Sequence, residues 1–131
     1  MTEPTRVAGR RLVAPLVDLL CVVVFVLIGR RNHHEDPGFT GFLAVAWPFA
    51  VGVVVASAAA GLARLGAWKR AFMVWLGTVV VGMVLRIVAQ GHEFKIAFVI
   101  VATVFLGATM LGWRFVAWRG VPRLRERFRA R

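Results

Sequence analysis

The chain has 131 residues, of which 60% are hydrophobic, and its mean hydropathy is +0.75. Soluble domains carry about 45–50% apolar residues, and a short chain buries only part of its surface, so this composition excludes an ordinary soluble domain. A net charge of +11 would suggest nucleic-acid binding in a soluble protein, but here the basic residues flank apolar runs, as in membrane proteins.

The first apolar run covers residues 12–29 and follows a basic N-terminal segment. About 20 apolar residues cross about 30 Å of hydrocarbon, so this run is predicted to be a transmembrane helix. A basic lead before an apolar core is also found in signal peptides. The run ends in Gly29 and Arg30 without the small-residue pattern of a cleavage site, so we expect it to remain in the protein.

Asp18 lies within this first span. If the helix begins at Pro15, Asp18 is in its first turn, where the helix dipole favours a carboxylate. If the helix begins at Leu12, Asp18 lies at membrane depth and needs a cationic partner, and Arg114 in the fourth span is at a matching depth. We therefore predict a structural pair between Asp18 and Arg114, with a proton-carrying role for Asp18 as the alternative.

Two His-Glu pairs, His34-Glu35 and His92-Glu93, follow the first and third spans. Imidazoles beside carboxylates can bind zinc or respond to pH. The spacing matches no metal-binding motif, so we predict no metal ion and no cofactor. The candidates for binding a ligand at this end of the molecule are Arg30, His33, Arg86 and His92.

The second span covers residues 41–61 and contains Trp47-Pro48-Phe49. Proline removes one backbone hydrogen bond, so Pro48 is predicted to kink the helix and to open a small cavity near the level of Arg86. Small residues recur every four positions along the same span, at Gly52, Ala56 and Ala60 and at Ser57 and Gly61. That spacing allows another helix to approach closely.

Arg86 stands out in the third span, which covers residues 71–89. A helix rises 1.5 Å per residue, so Arg86 lies about one turn inside the end of the span and needs a partner or water. One interpretation is an arginine that binds an anion or a lipid headgroup in a pocket. The alternative is an arginine anchored at the interface by a loop carboxylate such as Glu93.

The fourth span covers residues 96–115, and Gly120 and Pro122 after it are predicted to interrupt the helix. We therefore divide the chain into a transmembrane domain, residues 1–119, and a basic tail, residues 120–131. The tail is expected either to lie on anionic lipid headgroups or to be a disordered segment that fixes the topology. The arginines assigned to headgroup contact are Arg123, Arg125, Arg127, Arg129 and Arg131.

Short connections between the four runs predict an all-α, up-down bundle of four transmembrane helices. Basic residues concentrate in the N-terminus, in the connection between the second and third spans, and in the tail. The positive-inside rule therefore places both termini in the cytoplasm. Fifteen arginines against two lysines are typical of a GC-rich prokaryotic genome, so we expect a prokaryotic plasma membrane. Tryptophans 68, 75, 113 and 118 are predicted to form an aromatic belt at the cytoplasmic boundary.

Four short motifs together resemble a known family. They are Gly29-Arg30-x-x-His33, Trp47-Pro48-Phe49, Gly82-x-x-x-Arg86 and Gly112-Trp113-Arg114. The chain is similar, up to about Arg119, to a family of small four-helix membrane proteins that is common in actinobacteria and catalogued as a domain of unknown function. The resemblance implies no activity. It implies that Arg30, His33, Pro48, Arg86 and Arg114 are the positions that the family pattern selects.

No catalytic signature is present in the sequence, so an enzyme is not expected. The first hypothesis is an accessory or scaffold subunit that packs its small-residue faces against a larger membrane complex. The alternative is a small oligomeric transporter, or a membrane protein that binds a lipid or an anion through an outward-facing Arg/His site. The expected partners are membrane lipids with anionic headgroups and a larger complex or a second copy of the chain, and nucleic acid is not among them.

Overall fold

The computed structural model describes residues 3–33, 38–91, 93 and 95–129, and it describes side chains for 12–30, 38–91, 93, 95–120 and 129. These residues form four α-helices: α1 Glu3–His33, α2 Phe39–Leu62, α3 Ala67–Gln90 and α4 Ile96–Arg129. Each helix is long and apolar enough to cross a membrane. The prediction of an all-α chain with four membrane spans is confirmed.

The first and last helices extend beyond the predicted spans. α1 begins at Glu3, so Asp18 lies in the middle of a helix, and the interpretation that places it in a first turn is wrong. α4 continues to Arg129, so the expectation that Gly120 and Pro122 interrupt it is also wrong. A proline removes one backbone hydrogen bond from a helix, and the remaining bonds on either side maintain the helical backbone.

The four helices form a closed ring. α2 contacts α1 and α3, and α4 contacts α3 and α1. We call the end at which α1 begins, α4 ends and α2 connects to α3 the terminal end, and the opposite end the loop end. At the loop end, α3 stops at Gly91, whose φ of +66° is the left-handed conformation that favours glycine after a helix.

α2 and α3 approach each other most closely, because glycine lies at their contacts. A Cβ on Gly52 would be 2.8 Å from the carbonyl oxygen of Thr78. A Cβ on Gly77 would be 2.6 Å from the Cβ of Ala56. Ala56 and Gly52 are buried, so this small-residue face of α2 is used inside the chain. Gly52, Ala56 and Ala60 are therefore not a free surface for a partner, whereas Gly61 of the second small-residue set is exposed.

Phenylalanines fill the centre of the bundle at the level where all four helices meet. Phe25 of α1 lies 5.7 Å from Phe49 of α2 and 5.6 Å from Phe105 of α4, measured between ring centroids. Phe49 in turn packs against Gly82 of α3. Such edge and tilted contacts are the preferred geometry for aromatic pairs.

The outward faces of the helices are apolar, as a bilayer requires. Leu16 and Leu20 of α1, Val80 of α3 and Val104 of α4 are all more than half exposed. Among the described residues, the buried polar ones are Asp18 and Thr78. The Thr78 hydroxyl donates to the carbonyl oxygen of Val74 at 2.6 Å, which satisfies it within its own helix.

We expect Gly52→Val to separate α2 from α3, because the new side chain meets the backbone of Thr78. Overpacking of this kind costs about 1–3 kcal/mol. Unfolding with sodium dodecyl sulfate, followed by circular dichroism, measures the loss. Gly61→Val is the matched control on the same helix, because no described atom lies within 4 Å of a Cβ at Gly61. Equal stability of the two variants would contradict this account of the α2–α3 contact.

Candidate functional site

A buried ion pair joins α1 to α4 near the terminal end. The Asp18 side chain is fully buried, and that of Arg114 is 14% exposed. Arg114 donates from Nη1 to Oδ1 of Asp18 and from Nη2 to Oδ2, both at 2.7 Å. The indole Nε1 of Trp113 donates to the same Oδ1 at 2.9 Å. The structure thus brings together the two residues that the sequence paired by depth.

The geometry of this ion pair is the kind that a low-dielectric interior tolerates. Two parallel N–H···O bonds are the strongest arrangement between arginine and carboxylate. Arg114 also donates from Nη1 to the carbonyl oxygen of Met110 at 2.9 Å, and its guanidinium lies 4.6 Å from the ring centroid of Trp113. Burying these two charges costs little free energy only while each has its hydrogen-bonding partners in place. The pair therefore fixes the position of α4 on α1.

Three cationic side chains line a second region, a cavity of about 350 Å³ at the loop end. Arg30 comes from the end of α1, Arg86 from α3, and Lys95 from the residue before α4. The other walls are apolar and are formed by Phe25, Val26, Gly29, Val45, Ala97, Phe98 and Val101. We call this the loop-end cavity.

Arg30 is held at the mouth of the loop-end cavity by the start of α2. Its Nη1 donates to the carbonyl oxygen of Gly38 at 2.9 Å. A Cβ on Gly41 would lie 2.9 Å from the guanidinium, so a glycine at this position gives the arginine room to lie against α2. The orientation of Arg30 therefore depends on two glycines, Gly38 just before α2 and Gly41 near its start.

Arg86 is positioned by an aromatic ring of the neighbouring helix. Its guanidinium carbon lies 4.5 Å from the ring centroid of Phe98, within the range of a cation–π contact. One turn further along α3, the side-chain nitrogen of Gln90 donates to the carbonyl oxygen of Ala44 on α2. α2, α3 and α4 are thereby connected around the arginine, which supports its place in the cavity wall.

The structure places the other sequence candidates differently. Pro48 is buried within α2 and is not among the residues that line the loop-end cavity. A cavity at the level of Arg86 is present, whereas its origin in a kink at Pro48 stays a prediction. The backbone of His33 belongs to α1, whereas its side chain and all of His92 lie outside the described residues. Lys95 was missed as a cavity residue because it lies in a short connection that carries no motif.

The arginines of the basic tail are described in part. The backbone of Arg123, Arg125, Arg127 and Arg129 continues α4, and the exposed side chain of Arg129 is described. The other three side chains, and all of Arg131, lie outside the described residues. Within the described part of the chain, no group of three metal-ligating side chains lies close enough to hold an ion.

A further cavity, of about 420 Å³, lies at the terminal end. Trp68, Trp113 and Trp118 line it together with Arg70 and Arg114. These residues agree with an aromatic belt at that boundary, whereas Trp75 does not line this cavity. The indole of Trp75 packs on Gly107 and donates to the carbonyl oxygen of Thr103 at 3.0 Å, so it joins α3 to α4 within the bundle.

We expect Asp18→Asn to destabilise the protein by roughly 3–5 kcal/mol, because it leaves the charge of Arg114 buried without its carboxylate. The double variant Asp18→Asn/Arg114→Gln removes both charges, and we expect it to unfold at a higher detergent concentration than Asp18→Asn. Unfolding with sodium dodecyl sulfate measures both. A single variant that is as stable as the wild type would show that the pair does not hold α4 on α1.

The comparison with protein families assigns the chain. The family described as "Protein of unknown function (DUF3054)" matches residues 15–117. No curated protein and no solved structure matches. The matched region begins before Asp18 and ends after Arg114, so it includes both the buried ion pair and the loop-end cavity. Because it covers well over half of the chain, the protein belongs to the DUF3054 family.

Proposed function

We propose that this four-span membrane protein binds an anionic group in the loop-end cavity. The observation that supports this function best is that Arg30, Arg86 and Lys95 come from three separate parts of the chain and line one cavity. A charged residue at membrane depth is costly and usually serves a functional site. Three residues of the same sign around one space favour a ligand of the opposite sign.

Phosphate and carboxylate groups fit this set of side chains. Arginine presents a planar fork of donors that matches both groups, and lysine adds a compact point charge. The apolar walls lower the local dielectric constant, which strengthens the attraction between the cations and an anion. The same walls give the ligand's carbon skeleton a surface to contact, as in most small-molecule sites.

We also propose that the loop end faces the outside of a prokaryotic plasma membrane and that both termini are cytoplasmic. The support is the distribution of basic residues. The connection between α2 and α3, together with the first turn of α3, carries Arg64, Lys69 and Arg70 with no acidic residue, and the chain from Arg114 onward carries seven arginines and one glutamate. Cytoplasmic connections carry such an excess of positive charge.

An accessory or scaffold subunit remains the second hypothesis. Of the small residues that supported it, Gly52 and Ala56 lie against α3, whereas Gly61 is exposed. Contact between the basic tail and anionic headgroups also stays a prediction, as does an oligomer of this chain. That the protein is not an enzyme also stays a prediction.

To test anion binding, we would titrate the protein in a neutral maltoside detergent with dodecyl phosphate and measure the heat of binding. Arg86→Gln should weaken binding at least tenfold, which corresponds to about 1.4 kcal/mol. Arg86→Lys keeps the charge and should retain part of the affinity. Arg70→Gln, at the terminal end, is the control and should bind as the wild type does. If Arg86→Gln binds dodecyl phosphate with unchanged affinity, the proposed function is wrong.

To test the orientation, we would place single cysteines in a Cys21→Ala background. A cysteine at the exposed Glu93 should react with a membrane-impermeant maleimide on intact cells. A cysteine at the exposed Gly66, between α2 and α3, should react only after the cells are opened. The reverse pattern would show that the termini lie outside.

A further inference from the structure

The loop-end cavity lies between the first and the last helix of the ring. α1 supplies Phe25, Val26 and Gly29 to its walls, and α4 supplies Ala97, Phe98 and Val101. α2 and α3 supply one wall residue each, Val45 and Arg86. The cavity is therefore a widening of the contact between α1 and α4, which we call the α1–α4 seam.

The seam is closed over its other half. Near the terminal end, the bidentate pair between Asp18 and Arg114 joins the two helices. In the middle of the seam, Phe25 and Phe105 lie 5.6 Å apart between ring centroids. Towards the loop end, no described atom lies within 4 Å of a Cβ at Gly29. The seam thus changes from tight to open at about the level of Phe25.

The open half of the seam borders the surface that faces the bilayer. Val101, which lines the cavity, is 58% exposed, and Ala97 one turn before it is also exposed. The neighbouring Ile100 is an exposed apolar side chain on the same helix. The α4 wall of the cavity therefore continues into the exposed apolar surface of the same helix.

The volume of the cavity limits what it holds. About 350 Å³ lies at the small end of ligand sites, which measure about 300–1,000 Å³. This space suits a polar headgroup and not the acyl chains attached to it. The chains of a lipid would continue along the exposed apolar side of the seam, where the bilayer already surrounds them.

We infer that the ligand is a membrane lipid with a phosphate-bearing anionic headgroup, which enters the loop-end cavity sideways through the α1–α4 seam. The headgroup lies among Arg30, Arg86 and Lys95, and the acyl chains lie against Val101 and the outer face of α4. This inference rests on the proposed anion site and adds the source of the anion. A free phosphate would leave the apolar walls and the opening to the bilayer unused.

The test fills the seam without changing its charges. Gly29→Leu places a side chain in the open space of the cavity wall, and Val101→Phe narrows the opening from the α4 side. Gly112→Leu is the matched control, because Gly112 also lies in a helix with no described atom within 4 Å of its Cβ position. Equal thermal unfolding midpoints for all variants would show that each one folds.

Native mass spectrometry in a neutral maltoside detergent counts the bound molecules. The probes, added one at a time, are phosphatidylglycerol, phosphatidylcholine and glycerol phosphate. We expect the wild type and Gly112→Leu to hold one phosphatidylglycerol. Gly29→Leu and Val101→Phe should each reduce that occupancy at least tenfold, and phosphatidylcholine should bind at least tenfold less well than phosphatidylglycerol.

Two opposite results would separate the inference from the proposed function. If glycerol phosphate binds as well as phosphatidylglycerol, and the two seam variants keep full binding, the lipid and its sideways entry are wrong while the anion site stands. If Arg86→Gln retains every probe at wild-type occupancy, the anion site itself is wrong. Equal binding of phosphatidylcholine and phosphatidylglycerol would contradict recognition of the headgroup charge.

Discussion

The ion pair between Asp18 and Arg114 is the interaction on which the closed ring depends. Consecutive helices in this chain are held together by short connections, but α1 and α4 are joined by none. Where a charge is buried in a membrane, its position is fixed by the charge that neutralises it. The three hydrogen bonds that Asp18 accepts from α4 therefore determine how the last helix lies on the first.

Once the ring is closed, differences in side-chain size explain where the open space lies. Glycines let α2 and α3 approach until their backbones nearly touch, at Gly52 and Gly77. On the opposite side, phenylalanines 25, 98 and 105 pack between α1 and α4, where no glycine contact of this kind among the described residues brings the backbones together. The bundle is therefore tightly packed between α2 and α3 and more open between α1 and α4. The loop-end cavity occurs there.

The sequence predicted the features that depend on depth along a helix, and it missed those that depend on rotation about the axis. Hydropathy located the four spans, and counting residues put Asp18 and Arg114 at one level and Arg86 at the other end. The sequence did not show that Gly52 and Ala56 face α3 and not a partner, or that Trp75 contacts α4. The continuation of α4 to Arg129 was also missed, because Gly120 and Pro122 read in isolation as the end of a helix.

Arg114 and Arg86 lie in different surroundings, one in a packed helix contact and one at a cavity wall, and this difference bears on function. Arg114 is fixed by a carboxylate of its own chain inside a packed contact, which suits a permanent structural element. Arg86 lies on the ring of Phe98 at the wall of a cavity, with Arg30 and Lys95 around the same space. Retaining a cavity costs stability, and such costs are typical of functional sites.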